Sequence, residues 1–445
     1  MRVWGFAMAL AVFLAVASGS WNAAAGVTKL VKKADGSYGI THDGVPYFVQ
    51  GAGVDGTPFA VEALKVSGGN SVRTWGAATD PQAYDMAQGL GVTVCAGLWL
   101  LRPGEMNYAD PSQVKTQHDR LLAHVNTYKN HPAILVWGIG NEYEGSADVN
   151  VWQAVQQLAA DIKLVDPNHP TATVWAMITK PKMDAVKAYC PALDIIGINV
   201  YGSMPNLAPL IVQAGLDRPY LVTEYGPPGP WGEAPRVPWG ASLEMTSTEK
   251  ADFYLNGWNA SVVNPGNATV KKYCLGAYVY FWGIEPTFVT THTWYSTFLP
   301  GRLEPLGAID AMAKAWTKAY PSDRAPLVKS LTSTAAKAYV APEGEYTAQM
   351  EAVDPEGDQL RYSFEVRPEM KGSEGPIGAV GAEPPVIKGA IVKTTGNKVI
   401  FKAPATPGAY RLFAYARDSF SVATANFPFY SKAGTPLPPG QEKPQ

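Results

Sequence analysis

Ala133-Ile-Leu-Val-Trp-Gly-Ile-Gly-Asn-Glu142 is the stretch whose reading decides the fold. Its apolar residues show no polar alternation, and the run stops abruptly at Asn141 and Glu142. A strand buried on both faces has this form, with only its C-terminal tip meeting solvent. Arg218-Pro-Tyr-Leu-Val-Thr-Glu224-Tyr-Gly226 repeats the pattern and also ends near a carboxylate. Each has a purely local reading, Asn141 as a helix N-cap and Glu224 as an ordinary strand-end charge. The surrounding chain chooses between them.

Working outward, short β-rich runs alternate with amphipathic helical stretches eight times. The strands are predicted at Tyr47–Gly53, Asn70–Trp75, Val92–Trp99, Ala133–Asn141, Thr171–Ala176, Ile195–Tyr201, Tyr220–Tyr225 and Ala277–Trp282. Helices are expected over Pro111–Tyr128, Val149–Val165, Thr248–Val262 and Pro305–Ala319, among others. Eight βα units in this span predict a (β/α)8 barrel, which typically needs about 250 residues. A doubly wound sheet is the rival. It is disfavoured because no Gly-x-Gly-x-x-Gly phosphate loop follows the first strand.

Before the barrel, Ala34-Asp-Gly-Ser37 and His42-Asp-Gly-Val45 are turn signals for a hairpin that plugs the barrel bottom. After Tyr320, prolines 321, 326, 342 and 355 punctuate alternating strands at Glu345–Ala352, Gln359–Val366, Gly396–Lys402 and Arg411–Asp418. This spacing predicts a small C-terminal immunoglobulin-like β-sandwich. The expected division is a signal peptide over 1–25, the barrel with its hairpin over 27–322, the sandwich over 326–432 and a disordered tail over 433–445. Arg2, the apolar stretch Trp4–Ala17 and the small residues through Ala25 carry the signal-peptide reading, and with it a secreted or periplasmic location. No later stretch is long and apolar enough to be read as a membrane span.

The chain has 445 residues and is 47% hydrophobic, enough for a large core and two domains. A formal net charge of −2 gives no electrostatic case for nucleic acid or an anionic membrane as partner. The three cysteines, Cys95, Cys190 and Cys274, form no framework, although Cys190 and Cys274 could pair. Six scattered histidines and the lack of Cys-x-x-Cys or His-Glu-x-x-His predict no metal and no cofactor. Oligomeric state is not legible.

In a parallel barrel, catalytic groups sit at the strand C-termini. Those tips carry Asp55, then Arg73 with Trp75, Trp99, Asn141 with Glu142, Trp175, Asn199 with Tyr201, Glu224 and Trp282. Two carboxylates on one such rim are the equipment for cleaving or transferring a glycosidic bond. The aromatics suit the apolar faces of sugar rings, though each is also a core candidate. The Pro-stiffened loop Gly226–Trp239, with Trp231, and the segment Thr291-His-Thr-Trp-Tyr295, with His292 and Trp294, add aromatic groups beside the rim. They suit a β-linked oligo- or polysaccharide partner, and equally suit packed lid loops.

Trp137-Gly-Ile-Gly-Asn-Glu142 and Thr223-Glu-Tyr-Gly226, in order with Ser71-Val-Arg-Thr-Trp75, Asn199-Val-Tyr201 and Phe281-Trp282, resemble the retaining glycoside hydrolases of clan A, most nearly the family 2 type of barrel. The resemblance spans roughly residues 40–320. It implies Glu142 as general acid/base, Glu224 as nucleophile, Asn141 on the sugar 2-hydroxyl, Arg73 and Tyr201 hydrogen-bonded to Glu224, and Trp282 as the floor of the subsite. Asn199, Asp55, Trp75 and Trp99 complete the expected binding set. The chain departs from typical family 2 members in lacking their large N-terminal domains and in carrying its sandwich after the barrel. The expected activity is retaining β-glycoside hydrolysis. Its rivals are transglycosylation at the same site, a non-catalytic glycan-binding barrel, and a barrel that merely carries an adhesive sandwich.

Overall fold

The computed structural model describes residues 26–438 except 55, 77–80, 144–147, 265, 286–290 and 371–383. Asp55, the segment 1–25 read as a signal peptide and the end of the expected disordered tail therefore lie outside the described residues.

Eight parallel strands close into a barrel: Val49–Val54, Ser71–Arg73, Thr93–Leu98, Ile134–Ile139, Thr171–Ala176, Ile195–Asn199, Tyr220–Tyr225 and Cys274–Trp282. The fold is a (β/α)8 barrel followed by a β-sandwich. The fourth and seventh strands are buried along their whole length, which is why they carry no polar alternation. Helix starts follow capping chemistry. The Asp110 carboxylate accepts from the amides of Ser112 and Gln113 at the start of Pro111–Tyr128. Thr246 and Glu249 form a reciprocal capping box at Ser247–Ser261.

Thr28–Lys32, Tyr38–His42 and Val45–Tyr47 form a three-stranded antiparallel sheet rather than a two-stranded hairpin. Ile40 from its middle strand packs with Val49, Leu135, Ile195 and Leu275 at the N-terminal end of the barrel interior. The turn between its last two strands places Asp43 and Gly44 at φ 51° and 77°, a backbone that Asp-Gly adopts readily.

The C-terminal domain is two four-stranded sheets packed face to face. Four of its strands, Leu327–Ser333, Tyr339–Val340, Ile391–Thr395 and Val422–Ser431, were not expected from sequence. Val422–Ser431 contains Pro428, which argues against a strand in sequence reading. It pairs along its whole length with Gly408–Arg417 all the same. The three thiols are free and buried, so Cys190 and Cys274 do not pair. Among the described residues no helix is long and apolar enough to cross a membrane.

Candidate active site

Glu224 ends its strand almost fully buried, and three donors converge on it. Arg73 Nη1 donates to Oε1 at 2.7 Å and Trp75 Nε1 to the same oxygen at 2.5 Å, while Tyr201 Oη donates to Oε2 at 2.5 Å. Arg73 is 2% exposed and Glu224 5%, so this ion pair has left water and depends on its hydrogen bonds. Burial first, then the charge of Glu224, pushes the Tyr201 phenol well above its ordinary range, so it remains a proton donor to the carboxylate.

Small residues make this cluster possible. A Cβ on Gly53 would stand 2.4 Å from the Trp75 ring, and one on Gly97 would collide with the Trp75 carbonyl. The ring therefore lies across two strands. It stacks on Phe281 at 5.8 Å, with the Arg73 guanidinium 5.3 Å from its centroid.

Glu142 is aimed by a turn rather than by a strand. Gly140 has φ 72°, and its amide donates to Leu98 of the third strand. Glu142 itself sits at φ 49°, with its amide donating to Val174 of the fifth strand. A left-handed non-glycine residue between two strands is costly, and it orients the side chain. Asn199 Nδ2 donates to Glu142 Oε1 at 2.7 Å, and Thr223 Oγ1 holds the Asn199 carbonyl oxygen at 2.8 Å. Asn141 Oδ1 accepts from Arg73 Nη2 at 2.7 Å and from Asn199 at 3.2 Å. A continuous chain thus joins the carboxylates through Arg73, Asn141 and Asn199 on one rim of the barrel.

The aromatic surroundings divide unevenly. Trp231 is 48% exposed at the rim, edge-on to Tyr201 at 4.8 Å and stacked on Tyr295 at 6.2 Å. Trp99 is half-buried near Gly76, beside the Trp75 end of the rim. Trp282 does not line the bowl. It is 0% exposed and packs on Trp316 of the helix Gly307–Thr317, between strands and helices. The cause is a register shift against the first strand between Val279 and Trp282, which exchanges the face of the strand end. Tyr278 points into the barrel, bonded to Ser71, and two residues on Tyr280 faces Tyr201, Trp75 and Tyr295 instead. Trp175 likewise packs outward, on Trp152. His292 is buried against Phe413 and the Tyr415 hydroxyl of the sandwich, away from the carboxylates. Trp294 is buried, donating to the Pro228 carbonyl, and backs the loop without facing the bowl.

Tyr280 is the site residue missed from sequence, and Tyr295 lay in the quoted aromatic segment without being singled out from it. A two-residue period back from Phe281-Trp282 does not show which aromatic turns inward once the register slips. Among the described residues no group of three or more His, Cys, Asp or Glu is arranged to hold a metal ion.

Residues 51–229 match the family model for glycosyl hydrolases family 2, TIM barrel domain. No curated protein matches the chain. Among solved structures, a Bacteroides uniformis β-glucuronidase 2 shares 14% identity over 92% of this chain and 48% of its own, with a TM-score of 0.51. A Bacteroides fragilis protein assigned as a β-galactosidase shares 15% over 92% and 57%, also at 0.51. A Faecalibacterium prausnitzii β-glucuronidase shares 17% over 65% and 52%, at 0.50. At these identities the likeness is one of fold, and the chain spans about half the length of the structures it resembles. The matched segment holds Arg73, Trp75, Asn141, Glu142, Asn199, Tyr201 and Glu224, and it is a glycosyl hydrolase family 2 TIM barrel domain of the clan A type.

Proposed function

We propose that the protein is a retaining β-glycosidase in which Glu224 is the nucleophile and Glu142 the general acid/base. The observation that carries this is the meeting of two carboxylates on one rim of the barrel, joined through Arg73, Asn141 and Asn199. Glu224 receives donors from a guanidinium, an indole and a phenol, which hold both of its oxygens in place. Glu142, aimed by its left-handed turn, accepts from the Asn199 amide on Oε1. Glu224 would attack the anomeric carbon as Glu142 delivers its proton to the departing oxygen. The covalent glycosyl ester would then be cleaved by water deprotonated by Glu142. Asn141, held by Arg73 and Asn199, is placed beside both carboxylates to meet a sugar hydroxyl.

Both arms of the Arg73 guanidinium are already taken by Glu224, Asn141 and the Thr223 carbonyl, so this cation is not free to meet a carboxylate on the sugar. That occupancy disfavours a sugar bearing its own carboxylate and favours a neutral β-linked sugar. The partly exposed Trp231 offers a ring face next to the bowl for a further sugar. Such a platform serves a sugar acceptor as well as a longer substrate, so transglycosylation is the second reading.

The test is turnover of aryl β-glycosides of neutral sugars and of glucuronic acid, with the anomer of the first product read by NMR. Retained β-configuration on a neutral glycoside is expected. Inverted product would overturn the mechanism, and turnover of the glucuronide alone would overturn the choice of a neutral sugar. Products longer than the substrate at high oligosaccharide concentration would select transglycosylation.

A further inference from the structure

The sandwich meets the barrel at the helix Ser247–Ser261 and at Glu304, and also through the two segments that build the aromatic wall. The first, residues 226–246, leaves the nucleophile strand and carries Trp231. Eight residues further on, Trp239 sits between Tyr339 and Tyr430 of the sandwich, at 5.2 and 5.8 Å. The Ser242 carbonyl then accepts from Arg411 Nη2 at 2.7 Å, and Glu244 Oε2 accepts from Asn426 Nδ2 at 2.7 Å. The second segment carries Tyr295. Its Thr291 and Thr293 hydroxyls donate to the same Glu244, at 2.5 and 2.7 Å.

Glu244 is therefore the knot where both wall segments and the sandwich meet. Burial acts against its charge, but Lys250 and Arg411 overcome that and hold its carboxyl down at about 2. Lys250 pairs with Glu244 and also donates to the Thr293 carbonyl, while Arg411 pairs with Glu369. A purely apolar interface tolerates sliding. A buried network of charges with directional partners is satisfied in one register only.

We propose that the sandwich is a working part of the cleft, with Asn426 and Arg411 as positioning residues that hold Trp231 against Tyr201 and Tyr295. The wall's role in binding sugar rests on the functional reading above; the placement of Trp231 does not, so the experiment separates the two. The full chain is labelled with 5-fluorotryptophan, and the Trp231 fluorine resonance is identified by its loss in Trp231→Phe. Asn426→Ala and Trp239→Ala are each expected to shift and broaden that resonance, with Trp239→Phe restoring it. On an oligosaccharide that the wild type cleaves, the same two variants should raise KM roughly tenfold and leave kcat within about twofold. Trp239→Ala lies outside the buried charges and keeps the test open should Asn426→Ala fail to fold. An unmoved Trp231 resonance in a folded variant overturns the proposal. A resonance that moves in a protein without turnover upholds it and strikes the glycosidase reading instead.

Discussion

The carboxylate centre and the aromatic wall are about one side chain apart, yet they are held by different means. Arg73, Asn141, Asn199 and Glu224 stand on strand ends, and their partners come from the barrel itself. Trp231 and Tyr295 stand on long segments whose anchors, at Trp239, Ser242 and Glu244, are in or against the second domain. Chemistry common to a fold can be written into its strands, whereas the part that selects a substrate is assembled on loops that something else must steady. On this arrangement, deleting the sandwich would uncover both wall segments along with Leu299 and Leu306, which pack on Phe413, Tyr415 and Val422 of the sandwich.

The comparison breaks most sharply at Glu224. Glu224→Gln keeps the shape but removes the proposed nucleophile, and kcat should fall below about one part in 10⁴ on every substrate. A variant that retains turnover would place the chemistry elsewhere. Glu142→Ala should cost roughly 10²–10⁴-fold on substrates with poor leaving groups and much less on aryl glycosides. Added azide should restore rate in alanine variants at both positions, giving β-azide from the Glu142 variant and α-azide from the Glu224 variant. The reverse products would exchange the two roles. Tyr201→Phe removes a hydrogen bond to a charged group, about 1.5–3 kcal/mol, so kcat/KM should drop some 10- to 100-fold without loss of fold. Equal kcat/KM would mean that Arg73 and Trp75 suffice.

The smallest effect is expected at the domain junction. Asp310, on the helix Gly307–Thr317, accepts from the amide of Ala325 in the linker. Burial lifts its carboxyl to about 7, with the Ala325 amide and Arg324 opposing and Glu356 and Asp323 adding. A carboxyl raised in the folded state stabilises fully below its ordinary range near 4 and loses that contribution as pH rises through about 7. Between pH 5 and 8 the wild-type Tm should therefore fall by about 2–4 °C more than that of Asp310→Asn. Parallel Tm profiles would show that the junction does not feel this proton.

Strand ends were the most legible part of the molecule. Ile134–Ile139 is apolar throughout and Tyr220–Tyr225 opens on an apolar run, because both strands are buried along their length, and the polar residues that end such runs mark the rim directly. Arg73, Asn141, Glu142, Asn199, Tyr201 and Glu224 could be named together for that reason. The aromatic residues were harder, since core packing and sugar stacking ask for the same side chains. Trp75 was expected against sugar and instead donates to Glu224. Trp282 was placed at the rim as the tip of its strand, where a register shift turns it outward, and His292 belonged to a contact with a domain more than one hundred residues further along the chain. Pairings of that span leave no local trace in composition or spacing.

The three thiols have a use that follows from where they are. Burial pushes Cys95 and Cys274 up to about 11 and Cys190 up to about 12, so none is a nucleophile while the fold is closed. They lie at separate stations: within the third strand, at the end of the helix Lys180–Tyr189, and at the start of the eighth strand. A thiol reagent can reach each one only when its surroundings open, so the order of labelling, followed by mass spectrometry, times the opening of three sectors of the barrel in the unmodified sequence.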